Sequence, residues 1–382
     1  DWNYLIADYV KCGKPHYAFE LYDRMQKDHL IPTPHTFVAL LKACRMLNDV
    51  ERGEEIHKTV SRNGLLSIDP FIGSTLIDMY AKCGMLGKAQ QVFDMLPFRT
   101  FVTWTVLIVG YSDHGQVEES MSCFEHMKVE GISPDYTTFL CILKASCSGG
   151  AITKGQVIHA NIVEIGIEGN HVVGSSIVGM YASGGFFIEA NNVFDKILNR
   201  DIVSWTALIS GYIKHGHGNE AFSCLGKMRL EGLSPNNVTF ICILKACGIM
   251  GCLEIGEDIE YDVIWQGLLQ KHIILAIAFV DMYSKCGALE KATEVFEQLQ
   301  LRDVVVWNAL ISGYIQNGLG DETLKCFERM QDEGICPTVV TFVCVLKACG
   351  IIGCVEIGEE IHAKMREQGL LKNSIVVGNA VI

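Results

Sequence analysis

The chain has 382 residues, 49% of them hydrophobic, and 31 Lys plus Arg against 44 Asp plus Glu give a formal net charge of −13. No apolar run approaches the ~20 residues of a membrane-spanning helix, and this length exceeds what one hydrophobic core usually serves, so several domains or a repeat array are expected. The acidic balance counts, at first sight, against a nucleic-acid partner.

In chain order the elements follow a long repeat. Trp2, Trp104, Trp205 and Trp307 are 102, 101 and 102 residues apart, and Pro32, Pro134, Pro235 and Pro337 keep the same steps. Self-similarity at fixed period dictates the fold before any local motif does. Each long period divides into three repeats. The tryptophan-bearing type occupies 1–33, 101–135, 202–236 and 304–338. A second type carries "TF…LKAC…G…IH" and occupies 34–69, 136–170, 237–272 and 339–374. A third carries "DMYAKCG" and "VF" and occupies 70–100, 171–201 and 273–303, with a partial copy at 375–382.

Each repeat reads as two helices. In 202–236, Trp205, Leu208, Ile209 and Tyr212 fall at i, i+3, i+4 and i+7, an amphipathic first helix ended by Gly216. Ala221, Leu225 and Met228 mark the second, which Gly232 and Pro235 end. One such pair cannot bury its apolar faces alone, so neighbours must stack. The predicted fold is all-α, an α-solenoid superhelix of stacked antiparallel helix pairs forming one array over 1–382.

The sixteen cysteines recur with the repeat rather than in ligand spacings. Cys44, Cys247 and Cys349 follow Lys-Ala; Cys141, Cys242 and Cys344 close Thr-Phe-x-Cys; Cys83 and Cys286 sit in Lys-Cys-Gly. They read as reduced, small apolar members of helix faces. No metal site and no cofactor is expected.

The motifs "TWTVLIVGYSDHG", "TFVALLKAC…RGEEIH" and "GSTLIDMYAKCG…AQQVFDMLPFRT" resemble the P, L and S motifs of plant pentatricopeptide repeat (PPR) proteins of the PLS subclass, over the whole chain. The resemblance implies single-stranded RNA binding in a mitochondrion or chloroplast, one base per repeat, with the usual subclass role of selecting cytidines for conversion to uridine. No transit segment is visible in the opening residues.

A polar stripe lies beside the apolar one. Thr206, Ser210 and Lys214 are at i, i+4 and i+8, matched by Asn308, Ser312 and Gln316 in the last copy. In the family the fifth residue of a repeat and its last residue jointly read a base. Carried onto this chain, the P-type pairs are Asn3 with Thr33, Thr105 with Asp135, Thr206 with Asn236, and Asn308 with Thr338. The S-type pairs are Ser74 with Thr100 and Ser175 with Asp201. An ionised Asp only accepts hydrogen bonds, which suits N–H groups of guanine or uracil, whereas an amide both donates and accepts, as adenine requires. The L-type fifth residues Val38, Leu140, Ile241 and Val343, and S-type Ile277, offer no hydrogen bond. With the family's polarity the expected target is 5′-YNRGNRANNYNY-3′, its last position resting on Asn379. The alternative for Asp135 and Asp201 is a helix cap.

Second-position residues Phe71, Val102, Val172, Val203, Ile274 and Val305 resemble the family's wedges against bases. Lys11, Lys82, Lys214 and Lys285 recur at one slot, and Lys42, Lys144, Lys245 and Lys347 at another, so a basic line along the phosphates is expected beside the stripe. Acid concentrates on second helices, as at Glu118-Glu119 and Glu359-Glu360.

Cytidine deamination needs H-x-E and P-C-x-x-C. None of the twelve histidines is followed by x-Glu, and no C-x-x-C occurs. The chain is expected to be catalytically inert. The competing reading is a protein-interaction scaffold that docks an organellar editing accessory protein through its L-type repeats, and the exposed ends of such an array could associate head to tail.

Overall fold

The computed structural model of the protein describes residues 2–147, 152–269 and 271–367. The partial repeat at 375–382, with Asn379, lies outside them. Among the described residues the regular structure is helical: 22 α-helices and one short 3-10 turn at Leu65–Ser67. The chain divides into two compact halves, 1–200 and 201–382.

In the first half the helices are α1 (Trp2–Lys11), α2 (Pro15–Lys27), α3 (Pro34–Leu47), α4 (Val50–Arg62), α5 (Pro70–Lys82), α6 (Leu86–Met95), α7 (Phe101–Asp113), α8 (Val117–Val129), α9 (Tyr136–Ser146), α10 (Ile152–Ile165), α11 (His171–Ser183) and α12 (Phe187–Lys196). The second half holds α13 (Ile202–Lys214), α14 (Gly218–Leu230), α15 (Asn237–Met250), α16 (Leu253–Trp265), α17 (Ile273–Lys285), α18 (Leu289–Glu297), α19 (Val304–Gln316), α20 (Gly320–Asp332), α21 (Val339–Ile352) and α22 (Val355–Glu367). Within each half the odd-numbered helices pack successively on one another, α1 through α11 and α13 through α21. Within each half every even-numbered helix packs on its partner and, except for the last of each half, α12 and α22, on the next odd-numbered helix. Each half is therefore a solenoid of stacked helix pairs.

The apolar frame explains this stacking. Trp104, Leu107, Ile108 and Tyr111 of α7 are buried, as are Trp205, Leu208, Ile209 and Tyr212 of α13. Trp104 meets Phe93 of the preceding α6 edge to face at 4.5 Å, and Trp307 meets Phe296 of α18 at 4.6 Å. Such ring pairs contribute ~0.5–1.5 kcal/mol beyond the area they bury. The turn between α13 and α14 is made by Gly216, whose φ of 79° is left-handed and suits a residue without Cβ.

The repeat-equivalent cysteines sit on these apolar faces. Cys44, Cys247, Cys344 and Cys349 are buried, while Cys83, Cys141, Cys242 and Cys286 are half-buried. Burial, then the charge of Asp49, pushes the Cys44 thiol up to about 12. Burial does the same to Cys247.

Adjacent first helices approach closely where α7 carries Gly110. A Cβ built there would lie 2.7 Å from the Cβ of Ala81 on α5, an atom fixed to the backbone. Helix propensity favours Ala over Gly by about 1 kcal/mol, whereas overpacking a fixed contact costs about 1–3 kcal/mol. Gly110→Ala should therefore lower the thermal unfolding midpoint followed by far-UV circular dichroism. An unchanged or raised midpoint would show that the helices separate without cost.

Candidate functional site

The site begins at the helix N-termini. The first amides of a helix have no intrahelical partner, and here the residue closing one repeat caps the first helix of the next. Asp135 Oδ1 accepts from the Thr138 amide at 2.9 Å, Asp201 Oδ1 from Ser204 at 2.8 Å, and Asn236 Oδ1 from Thr239 at 3.0 Å. Thr100 Oγ1 accepts from Thr103 at 3.3 Å. Thr33 and Thr338 form capping boxes with Thr36 and Thr341. The capping alternative for Asp135 and Asp201 thus describes a bond these residues do make. Asp135 makes its bonds through Oδ1 alone.

The cap places each P-type last residue beside the fifth residue of its own repeat, through a third side chain. Thr105 Oγ1 lies 2.9 Å from Thr138 Oγ1, which donates to Asp135 Oδ1 at 2.7 Å. Thr206 Oγ1 lies 2.7 Å from Thr239 Oγ1, which donates to Asn236 Oδ1 at 3.0 Å. Thr341 Oγ1 donates to Asn308 Oδ1 at 2.6 Å, and Asn308 Nδ2 donates to Thr338 Oγ1 at 3.0 Å. In the first copy Thr36 donates to Asn3 and lies 3.1 Å from Thr33 Oγ1. Thr36, Thr138, Thr239 and Thr341 are fully buried. Sequence reasoning passed over these threonines because "TF" recurs in all four L-type repeats and looks like frame. The available signal was a polar residue holding an invariant slot on an apolar face.

Three fifth residues depart from the exposed stripe expected from the sequence. Ser74, Ser175 and P-type Thr105 are buried, at 7%, 4% and 8% exposure. Ser74 Oγ donates to the Phe71 carbonyl at 3.0 Å, and Ser175 Oγ to that of His171 at 2.6 Å. A serine hydroxyl has one proton, and here the helix's own backbone takes it. Thr103 and Ser204, which occupy the third position after these repeats, turn to the Thr100 and Asp201 carbonyls.

The wedge candidates stand at the surface: Phe71, Val172, Val203, Ile274 and Val305 are exposed, and Val102 is half-buried. Four of the eight lysines of the expected basic line stand beside carboxylates. Lys82 pairs with Asp113, and Lys144 approaches the same carboxylate at 4.0 Å. Lys285 pairs with Asp281 at 2.6 Å, and Lys11 lies 3.8 Å from Asp8. At these four the acid lies one turn back or on a neighbouring first helix and reaches the same side. Lys214, Lys42, Lys245 and Lys347 are exposed.

These features meet in a cleft of about 380 Å³ between α1 and α3. Asn3, Thr33, His35 and Val38 line it with Lys11 and Lys42. It joins a repeat's fifth and last residues, an apolar L-type fifth residue and two cationic side chains. Such a wall can hydrogen-bond one edge of a planar heterocycle while its lysines meet an anionic backbone.

The PPR repeat family matches residues 2–45, 99–148, 200–248 and 302–350, and the PPR repeat itself matches 74–99, 278–304 and 340–370. A chloroplastic pentatricopeptide repeat-containing protein of Arabidopsis thaliana is 34% identical over 366 residues, 96% of this chain and 45% of the relative. A mitochondrial one is 33% identical over 382 residues, 100% of this chain and 55% of the relative. The chain thus spans about half the length of these curated relatives. Among solved structures, the pentatricopeptide repeat protein PPR10 in complex with an 18-nt psaJ RNA element is similar with a TM-score of 0.75 and 20% identity, covering 100% of this chain and 57% of that one. PPR10 from maize gives 0.63 and 17% over 100% and 60%. At these identities the likeness speaks for the fold alone.

Capping itself is testable. Asp135→Ala should cost about 0.5–2 kcal/mol, and Asp135→Asn far less, because Asn caps as well as Asp. Amide hydrogen exchange at Thr138 and urea unfolding would measure both. Equal effects of the two substitutions would remove the cap from the account.

Proposed function

The chain belongs to the pentatricopeptide repeat family, and we propose that it reads single-stranded RNA base by base along its first helices, as the specificity part of an organellar C-to-U editing factor of the PLS subclass. The observation that carries the reading is the P-type pair. Fifth and last residues are held beside one another by a shared buried threonine, inside a frame that repeats, while their own identities change from Asn/Thr to Thr/Asp to Thr/Asn. A surface that only needed solvation would not require that linkage. The complex of PPR10 with an RNA element supports the ligand class. The chloroplastic and mitochondrial relatives support an organellar site of action. The deamination itself would come from a separate zinc domain with the H-x-E and P-C-x-x-C signature.

Target preference follows repeat type. The four P-type pairs give Y, G, A and Y at the first, fourth, seventh and tenth positions of 5′-YNRGNRANNYNY-3′. The third and sixth positions, opposite Ser74 and Ser175, should discriminate weakly, since Thr103 and Ser204, in the slot of the linking threonine, turn their protons to the cap's own carbonyl. Exposed second-position side chains supply sequence-tolerant contact, ~1–3 kcal/mol per base for an aromatic such as Phe71 and less for valine. The paired lysines make the electrostatic share of affinity modest, which suits a net charge of −13.

The test is fluorescence-anisotropy titration of labelled 12-nt RNAs at about 0.15 M salt. Changing the fourth, seventh or tenth base should weaken binding about tenfold each, whereas changes at the third or sixth should stay within about threefold. Asp135→Asn should move the fourth-position preference from G toward A, copying the Thr206/Asn236 pair, and leave the others alone. Equal affinity for the target and a scrambled RNA would sink the reading and leave the protein-interaction scaffold in its place.

A further inference from the structure

The buried threonine at the third position of each L-type repeat has one hydroxyl proton, and the four junctions spend it differently. Where the fifth residue is Thr, the last residue is within its reach: Thr138 donates to Asp135 at 2.7 Å, and Thr239 has Asn236 at 3.0 Å beside Thr206 at 2.7 Å. Where the fifth residue is Asn, the proton goes there instead: Thr341 to Asn308 at 2.6 Å, and Thr36 to Asn3.

The consequences follow from donor and acceptor capacity. Asp135 only accepts, so Thr138 must give its proton to it, and the 2.9 Å contact with Thr105 must carry the Thr105 proton. Thr105 is left as an acceptor beside Asp135 Oδ2. Two adjacent acceptors match the N1–H and N2–H₂ donors of guanine. At the next P-type repeat Asn236 Oδ1 receives both the Thr239 amide and the Thr239 hydroxyl, which turns Nδ2 outward. The Thr206 proton goes to the Ile202 carbonyl at 2.6 Å, so the one Thr239 proton is shared between Thr206 at 2.7 Å and Asn236 at 3.0 Å, and Thr206 meets a ligand only as an acceptor. One donor and one acceptor match adenine N1 and N6–H₂. At the last P-type repeat, Asn308 holds its oxygen toward Thr341 and one N–H toward Thr338, leaving a second N–H for a pyrimidine carbonyl.

We propose that the L-type threonine is a positioning residue for base discrimination: its single proton decides which of two neighbouring side chains meets the RNA as acceptor and which as donor. The S-type repeats supply the contrast, since the residues in the equivalent slot, Thr103 and Ser204, bond the cap's own carbonyl. The proposal rests on the RNA-reading function above and assigns it a residue outside the reading pair.

The experiment compares the full chain with Thr138→Val and Thr138→Ser on two RNAs that differ only in G or A at the fourth position. Valine keeps the shape and removes the proton acceptor, so Thr105 regains a hydrogen to donate and adenine becomes acceptable. The unaltered chain should favour G about tenfold, Thr138→Val should reduce the ratio to about twofold, and Thr138→Ser should restore it. A merely structural role would weaken both RNAs alike and leave the ratio unchanged. A full ratio in Thr138→Val, or no restoration in Thr138→Ser, overturns the proposal and leaves the RNA-reading function standing. No preference for G in the unaltered chain overturns both.

Discussion

The bond on which this molecule depends is the cap that one repeat places on the first helix of the next. A helix begins with amides that its own backbone cannot satisfy, and Asp135, Asn236 and their equivalents satisfy them from the preceding repeat. That bond ties neighbouring helix pairs together and fixes where the last residue of each repeat points. In the P-type repeats it brings that residue to the fifth position of its own first helix. Fold and candidate site are thus built from one interaction. A cap of this kind contributes about 1 kcal/mol, small beside the apolar packing but decisive for geometry.

Packing explains why the frame repeats. Trp104 and Trp307 each close on a phenylalanine from the second helix of the preceding repeat. Gly110 lets α7 approach Ala81 of α5 at a distance no other residue allows. These contacts demand one shape, so the sequence around each tryptophan hardly varies. The polar side chains beside the frame carry no such demand. Their identities can change without disturbing the stack, as Thr206 and Asn308 do.

The fold was readable because its period is long and its markers are strong. Four tryptophans and four prolines at steps of 102, 101 and 102 leave little choice of architecture. The P-type fifth and last residues, which the structure links through a buried threonine, stood out because they vary beside a repeating frame. Three things were not readable. Thr36, Thr138, Thr239 and Thr341 never vary, and constancy in a repeat reads as packing. Ser74 and Ser175 share the fifth slot with Thr206, and all three hydroxyls turn onto carbonyls three or four residues back in their own helices. Lys82 and Lys144 converge on Asp113 only once α5, α7 and α9 are stacked. The same dependence on neighbours separates the tryptophans. Trp104 and Trp205 donate to Glu130 and Glu231, whereas Arg302 and Arg329 hold Glu333 and the buried Trp307 Nε1 has no partner.

The most direct measurement is a crystal structure of this chain with a 12-nt RNA carrying G at the fourth position. Thr105 Oγ1 and Asp135 Oδ2 should lie within about 2.7–3.2 Å of guanine N1 or N2, with Thr138 still bonded to both residues. RNA lying along the second helices, or a guanine turned away from Thr105 and Asp135, would contradict it.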